Sequence, residues 1–94
     1  MSNLFVSKNL IQSAHDWIEY AVESQNSNSP EILSDLENLL KINHNKTECA
    51  VPYTILQTTL SWIHYERRAT GQDRPIVETE IQNILVTVAR KEKQ

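Results

Sequence analysis

The only glycine of the chain, Gly71, constrains the fold most, because it separates two amphipathic segments. Each of these segments begins at a proline, Pro52 in the first and Pro75 in the second. Glycine adopts a left-handed backbone readily and so favours a helix stop. Proline suits the start of a helix, where its missing N–H is not needed. The stretch 51–90 therefore predicts two helices joined by a tight turn.

Apolar side chains recur every three to four residues in four segments, which is the spacing of one helix face. One glycine and three prolines among 94 residues argue against a turn-rich β fold. The short polar stretches between the segments favour antiparallel neighbours. We therefore expect a single all-α domain over residues 1–94, an antiparallel up-down four-helix bundle. Its helices are expected at approximately 3–23, 30–42, 52–69 and 75–90, with Ser29 capping the second.

The third expected helix has two adjacent apolar faces, which suits a helix that touches two neighbours. Its main face is predicted to bury Tyr53, Leu56, Leu60 and Ile63. Trp62 lies to one side of that face. It is either packed in the core or exposed as an aromatic anchor for a partner, and the sequence leaves both open.

The net charge of −3 does not suit a general nucleic-acid binder, because such proteins neutralise phosphates with a basic surface. The basic residues of the second half gather in two places, around the Gly71 turn and at the C-terminus. They are Arg67, Arg68, Arg74, Arg90, Lys91 and Lys93. Such groups are either solvated helix ends or contacts for an anionic or membrane-adjacent partner.

Few residues offer chemistry. The soft metal ligands are His15, His44, His64 and Cys49, and their spacing does not resemble a zinc site. No orienting acid or oxyanion hole accompanies Cys49, and one glycine cannot build a phosphate loop. The sequence therefore predicts no enzyme activity, no catalytic residue, no metal and no cofactor.

A helix-turn-helix reading of the last two helices is disfavoured. The second of them opens with Glu78 and Glu80, at the place where contacts to DNA phosphates and bases would be made. We expect no nucleic-acid partner.

The lone Cys49 rules out an internal disulfide and fits a reducing compartment. The N-terminus lacks the pattern of a signal peptide, and no apolar run approaches the roughly 20 residues of a membrane span. The expected location is cytoplasmic, without membrane insertion, as a monomer or weak dimer.

From Ser29 onward the chain resembles the immunity proteins of pediocin-like (class IIa) bacteriocins. The resemblance covers about residues 29–88, and its most specific part is the Val51-Pro52 start of the third helix with the spacing from there to Leu85. The motifs that carry it are Ser-Pro-Glu-Ile at 29–32, Leu36, Leu39, Leu40, Ala-Val-Pro at 50–52, Ile55, Leu56, Leu60, Ile63, Ile81, Ile84 and Leu85. Many family members carry a longer segment after the fourth helix, whereas only a few residues follow Val88 here.

The resemblance implies a small cytosolic four-helix bundle that protects the producing cell from its own bacteriocin. Such a protein would recognise the bacteriocin bound to its receptor, the mannose permease, at the cytoplasmic side of the membrane, with no chemistry involved. By position, the resemblance places the specificity region at Thr87, Arg90, Lys91 and Lys93. On physical grounds alone we add the cluster at the turn, Arg67, Arg68 and Arg74.

An alternative function stays open. It is that of a small helical inhibitor or adaptor that binds a soluble protein, such as a phage or bacterial anti-defence or regulatory protein. That function predicts co-purification with a soluble partner and no protection against a bacteriocin.

Overall fold

The computed structural model describes residues 3–26 and 28–92 of the chain. In these ranges the elements are, in order, strand β1 (Asn3–Ser7), helix α1 (Lys8–Ser24), helix α2 (Glu31–Ile42), strand β2 (Glu48–Pro52), helix α3 (Tyr53–Thr70) and helix α4 (Ile76–Glu92). The described part of the chain thus has the four predicted helices. The described residues are mostly helical, but a small two-stranded sheet accompanies the helices, so an all-α four-helix bundle is not confirmed.

The sheet joins the start of the chain to its middle. β1 and β2 pair antiparallel, with Val6 opposite Cys49 and Leu4 opposite Val51. Successive side chains of a strand point to opposite faces, so these four side chains face the core together. Phe5 lies on the other face and is 74% exposed. Residues 3–7, expected at the start of the first helix, and residues 48–50, expected in a loop, therefore form strands.

The prolines and the glycine mark helix ends as their backbone chemistry requires. Pro30 and Pro52 are the residues immediately before α2 and α3, and the Pro75 carbonyl accepts the Glu78 N–H at 3.1 Å as α4 begins. Gly71 ends α3 with φ of +70°, so the predicted left-handed helix stop is confirmed. The predicted cap by Ser29 is wrong, because Pro30 takes the cap position and no side chain bonds there.

The core lies between α1 and α3, each of which contacts the other three helices. Its fully buried large side chains come from every helix. They are Ile11, Ile18, Leu36, Leu56, Ile63 and Ile81. Cys49 and Val51 extend this core onto the sheet, both with no exposed area. Covering the end of the helices is therefore the role of β1 and β2.

The buried face of α3 differs from the predicted one. Leu56 and Ile63 are buried as expected, but Leu60 is only half-buried. The buried stripe is completed by Thr59, between Leu56 and Ile63, and by Glu66 after Ile63, at 0% and 2% exposure. The Thr59 hydroxyl donates to the Ile55 carbonyl at 2.7 Å, which satisfies its polar group inside the core. Apolar spacing missed this stripe because two of its members are polar.

Candidate functional site

The turn between α3 and α4 is built around a buried carboxylate, Glu78, which has no exposed area. Arg67 Nε donates to Glu78 Oε1 at 2.8 Å. Arg74 Nε and His64 Nδ1 lie 3.1 Å and 3.2 Å from Oε2. Glu78, His64, Arg67 and Arg74 are called the Glu78 cluster below. Because charges removed from water must be paired, these cations compensate the burial of Glu78 at the α3–α4 turn.

The two oxygens of Glu78 are held differently. Oε1 accepts a directed hydrogen bond from Arg67. Oε2 accepts none with good geometry from the described residues, although Arg74 and His64 are both at ion-pair distance. Charge proximity is therefore what compensates the burial of Oε2, and Arg67 is the main partner of the carboxylate.

The arginines predicted to bind a partner at the turn are divided by the structure. Arg67 and Arg74 face inward to Glu78. Arg68 is exposed and lies beside a concavity that Ser61, His64 and Tyr65 also line. Partner binding by all three together stays a prediction. Arg68 and Arg74 are exposed, and Arg74 is at the same time paired with Glu78.

The C-terminal candidates lie on the last turns of α4. Thr87, Arg90 and Lys91 are exposed, and the Thr87 hydroxyl donates to the Asn83 carbonyl at 2.8 Å. Lys93 lies outside the described residues. A helix rises about 1.5 Å per residue, so α4 separates Arg90 from the Gly71 turn by roughly 20 Å. The two basic groups are therefore separate patches.

A second buried carboxylate, Glu66, lies one helical turn before Thr70 on α3 and is 2% exposed. Gln25, which follows α1, donates a hydrogen bond from its side-chain amide to Glu66 Oε2. Among the described residues no lysine, arginine or histidine is at ion-pair distance from Glu66. A neutral amide is thus the donor that the structure shows for this acid.

Glu66 lines a surface cavity of about 490 Å³ on α3. This cavity, called the Glu66 cavity below, has aromatic and hydroxyl-bearing walls. Its lining residues are Asn28, Thr58, Ser61, Trp62, Tyr65 and Glu66. The Trp62 and Tyr65 rings meet edge to face, with centroids 5.9 Å apart and planes at 83°. Trp62 is half-buried, so it contributes to the core and to the cavity wall at once.

His15 is a buried residue of α1 whose ring contacts an acid on α1 and an acid on α2. Its Nδ1 and Nε2 lie 3.1 Å from Asp16 Oδ1 and from Glu37 Oε2. Burial by itself lowers the pKa of His15, but the hydrogen bonds to Asp16 and Glu37 and the charge of Glu19 outweigh it and raise the pKa above 6.5. When the ring is protonated, it pairs with Asp16 of α1 and Glu37 of α2 and so joins the two helices.

The soft metal ligands lie on separate elements: His15 on α1, His44 after α2, Cys49 in β2 and His64 on α3. In the described part of the chain, His15, Asp16 and Glu19 bring ligand atoms within 4.8 Å of one another. Both ring nitrogens of His15 already face carboxylates, as given above. This group is accounted for by ion pairing between α1 and α2.

The sequence reasoning missed both buried glutamates, although the signal for each was present. Glu66 follows Leu56, Thr59 and Ile63 at intervals of three and four. Glu78 precedes Ile81 and Leu85 at the same intervals. An acid that falls in register with a helix stripe is a candidate for burial. In the sequence Glu78 is considered only as an acid at the start of the fourth helix, where it disfavours contacts to DNA, and not as a buried residue.

Comparison of the chain with protein-family models, with curated proteins and with solved structures found no match. Across the described residues, none of the helices combines the length and the apolar character that crossing a membrane requires.

Proposed function

We propose that this protein acts by recognition without chemistry, as an immunity protein against a pediocin-like bacteriocin in the cytoplasm of the producing cell. It would bind the complex of the bacteriocin with the mannose permease. The observation that carries the proposal is the exposed basic end of α4, where Thr87, Arg90 and Lys91 lie. The resemblance over residues 29–88 assigns specificity to that same region. The proposal includes the antiparallel up-down arrangement of the four helices, which is the fold that the resemblance implies.

The charge distribution supports approach to a membrane protein from the cytoplasmic side. The chain as a whole carries −3, while the last turn of α4 carries Arg90 and Lys91. Anionic lipids at the inner leaflet attract a basic segment, at about 1 kcal/mol for each cation near the surface. The acidic remainder of the body favours an orientation in which the C-terminal end faces the permease.

Recognition rather than catalysis is supported by where the reactive groups lie. The thiol of Cys49 is fully buried in the sheet, and burial raises its pKa, against which the charge of Lys8 acts. A buried, protonated thiol is a poor nucleophile. His64, which could serve as a base, is held at Glu78 in the other half of the fold.

The test is protection of a sensitive strain. We expect expression of the chain to raise the inhibitory concentration of at least one peptide in a panel of pediocin-like bacteriocins. The double variant Arg90→Ala/Lys91→Ala should lose that protection at an equal expression level. Lys41→Ala is the matched control, because it removes an exposed charge from α2 at a position that is not among the predicted partner-binding residues. An unchanged inhibitory concentration across the whole panel would refute the proposal.

A second candidate function is binding to a soluble protein, as a small inhibitor or adaptor. The observation that favours it is the Glu66 cavity, since aromatic walls around a buried polar group are typical of interface anchor sites. This function predicts a stable complex with a soluble partner and no protection. Size-exclusion chromatography with light scattering on the purified chain measures its oligomeric state. A monomer leaves the Glu66 cavity open to a soluble partner, whereas a dimer formed through α3 would cover the cavity and count against this function.

A further inference from the structure

Glu66 and the cavity beside it form a site that the bacteriocin function does not use. The carboxyl group of Glu66 is withdrawn from water, with 2% of the residue exposed. An acid in such a position requires compensation by hydrogen bonds or by an opposite charge. The amide of Gln25 supplies one hydrogen bond to Oε2. The described residues place no cation near it, in contrast to the three that surround Glu78.

The walls of the cavity suit a flat cation with several N–H donors. Trp62 and Tyr65 present aromatic surface, which attracts cations and stacks against planar guanidinium groups. The Thr58 hydroxyl already donates its proton to the Thr54 carbonyl at 2.9 Å, so its lone pairs can accept. Ser61 and Asn28 add further oxygen acceptors at the rim. A guanidinium has five N–H donors and no acceptor, and therefore matches this arrangement.

The size and position of the cavity fit a side chain from another protein. Its volume of about 490 Å³ falls in the range of roughly 300–1,000 Å³ that is usual for binding pockets. It opens on the surface of α3, and Gln25, whose amide covers one oxygen of Glu66, is itself exposed and can rotate away.

We propose that the Glu66 cavity binds an arginine side chain of a partner protein. The guanidinium pairs with the Glu66 carboxylate beside the edge-to-face pair of Trp62 and Tyr65, and it replaces the amide of Gln25 with a charged donor. The Gln25 bond already has a charged acceptor, but a guanidinium adds the opposite charge and a second parallel N–H donor, so the exchange favours the bound state. This inference holds whichever partner the protein has, because it concerns the chemistry of one anchor residue.

The experiment uses the full chain and two peptides that differ in one charge. Acetyl-glycyl-arginyl-glycinamide is titrated into 15N-labelled protein, and the same peptide with citrulline is the control, because citrulline has the shape of arginine without its charge. The indole N–H signals of the two tryptophans are followed in 1H–15N NMR spectra. Trp62 lines the Glu66 cavity, whereas Trp17 lines a different concavity beside the exposed Glu80. The Trp17 signal therefore measures non-specific effects within the same sample.

We expect the arginine peptide to shift the Trp62 signal in a saturable manner and to leave the Trp17 signal in place. The citrulline peptide should bind about tenfold more weakly or not at all, since the positive charge and one of the NH2 donor groups are lost. Glu66→Gln should weaken the arginine peptide by a similar factor, and Glu80→Gln should not change it. Equal shifts at both indoles, or equal binding of the two peptides, would overturn the proposal. Both of those readings come from the wild-type chain, so they do not depend on whether a variant folds.

Discussion

Glu66 and Glu78 are both withdrawn from water, one near the end of α3 and the other at the start of α4, yet their surroundings differ. Glu78 is enclosed by two arginines and a histidine of its own chain. Glu66 receives a bond from the neutral amide of Gln25 and lies at a cavity. The two buried acids of this hairpin are therefore compensated differently. In the Glu78 cluster the acid is paired with cations of its own chain, and at Glu66 we propose that a ligand supplies the cation.

The largest expected effect comes from removing the main partner of Glu78. Arg67→Ala should lower the free energy of unfolding by about 3 kcal/mol, because a buried carboxylate then loses its directed hydrogen bond. Urea denaturation measures this loss. Arg68→Ala is the matched control, since Arg68 is exposed and its loss should cost less than about 0.5 kcal/mol. Equal costs for the two variants would show that the Glu78 cluster does not support the turn.

The next effect compares the same substitution at both acids. Glu78→Gln should destabilise the protein by about 2 kcal/mol, because the positive charges of the Glu78 cluster lose their counter-charge. The measurement is again the midpoint of urea unfolding, with a constant slope as the check on two-state behaviour. If Glu78→Gln is as stable as the wild type, the charge of Glu78 does not contribute to stability, and the expected contrast with Glu66 is absent.

His15, a basic side chain, should contribute a smaller and pH-dependent part of the free energy of unfolding. Its pKa in the folded state is raised above the unfolded value of 6.5, so its pairs with Asp16 and Glu37 contribute fully below pH 6.5. That contribution is lost as the pH rises through the folded pKa. Both partners are exposed, so we expect less than about 1 kcal/mol.

The measurement for His15 is unfolding stability at about pH 6 and at about pH 8.5. The wild type should lose stability over this range relative to His15→Gln, which retains hydrogen bonding without a titrating ring. His44→Gln is the control, because His44 is exposed. A wild type and a His15→Gln variant with parallel pH profiles would contradict the assignment of His15 as a charged link between α1 and α2.

The smallest expected effect is at Glu66. Glu66→Gln keeps the shape of the side chain and an oxygen acceptor for Gln25, and it removes a charge from a buried position. We therefore expect unfolding stability to stay within about 0.5 kcal/mol of the wild type or to rise slightly. A loss as large as that of Glu78→Gln would mean that Glu66 has a structural cation partner and is not held for a ligand.

The helices could be predicted from the sequence because their signals are local. Gly71 readily adopts the left-handed conformation that ends α3. A proline lies immediately before each of α2, α3 and α4. Helical apolar spacing also identifies most of the core, Ile18 and Ile63 among it. These features depend on neighbouring residues and need no knowledge of distant contacts.

The sheet could not be predicted, because its two strands are short and far apart in the chain. Phe5 and Ala50 are paired across 45 residues of sequence. Each strand shows only a brief alternation, and the large apolar Phe5 on the outer face obscures it in β1. The Glu66 cavity was equally hidden, since it depends on how Gln25 and Asn28 meet α3. Which buried acid has a cation beside it is a three-dimensional property.

The position of Cys49 has a practical consequence for following motions of this protein. The thiol is fully buried opposite Val6, on the inner face of the sheet. A thiol reagent can reach it only when β1 separates from β2 or when the whole chain unfolds. Its labelling rate under native conditions therefore reports how often the start of the chain detaches. Comparison of that rate with the rate of global unfolding would show whether the sheet opens on its own.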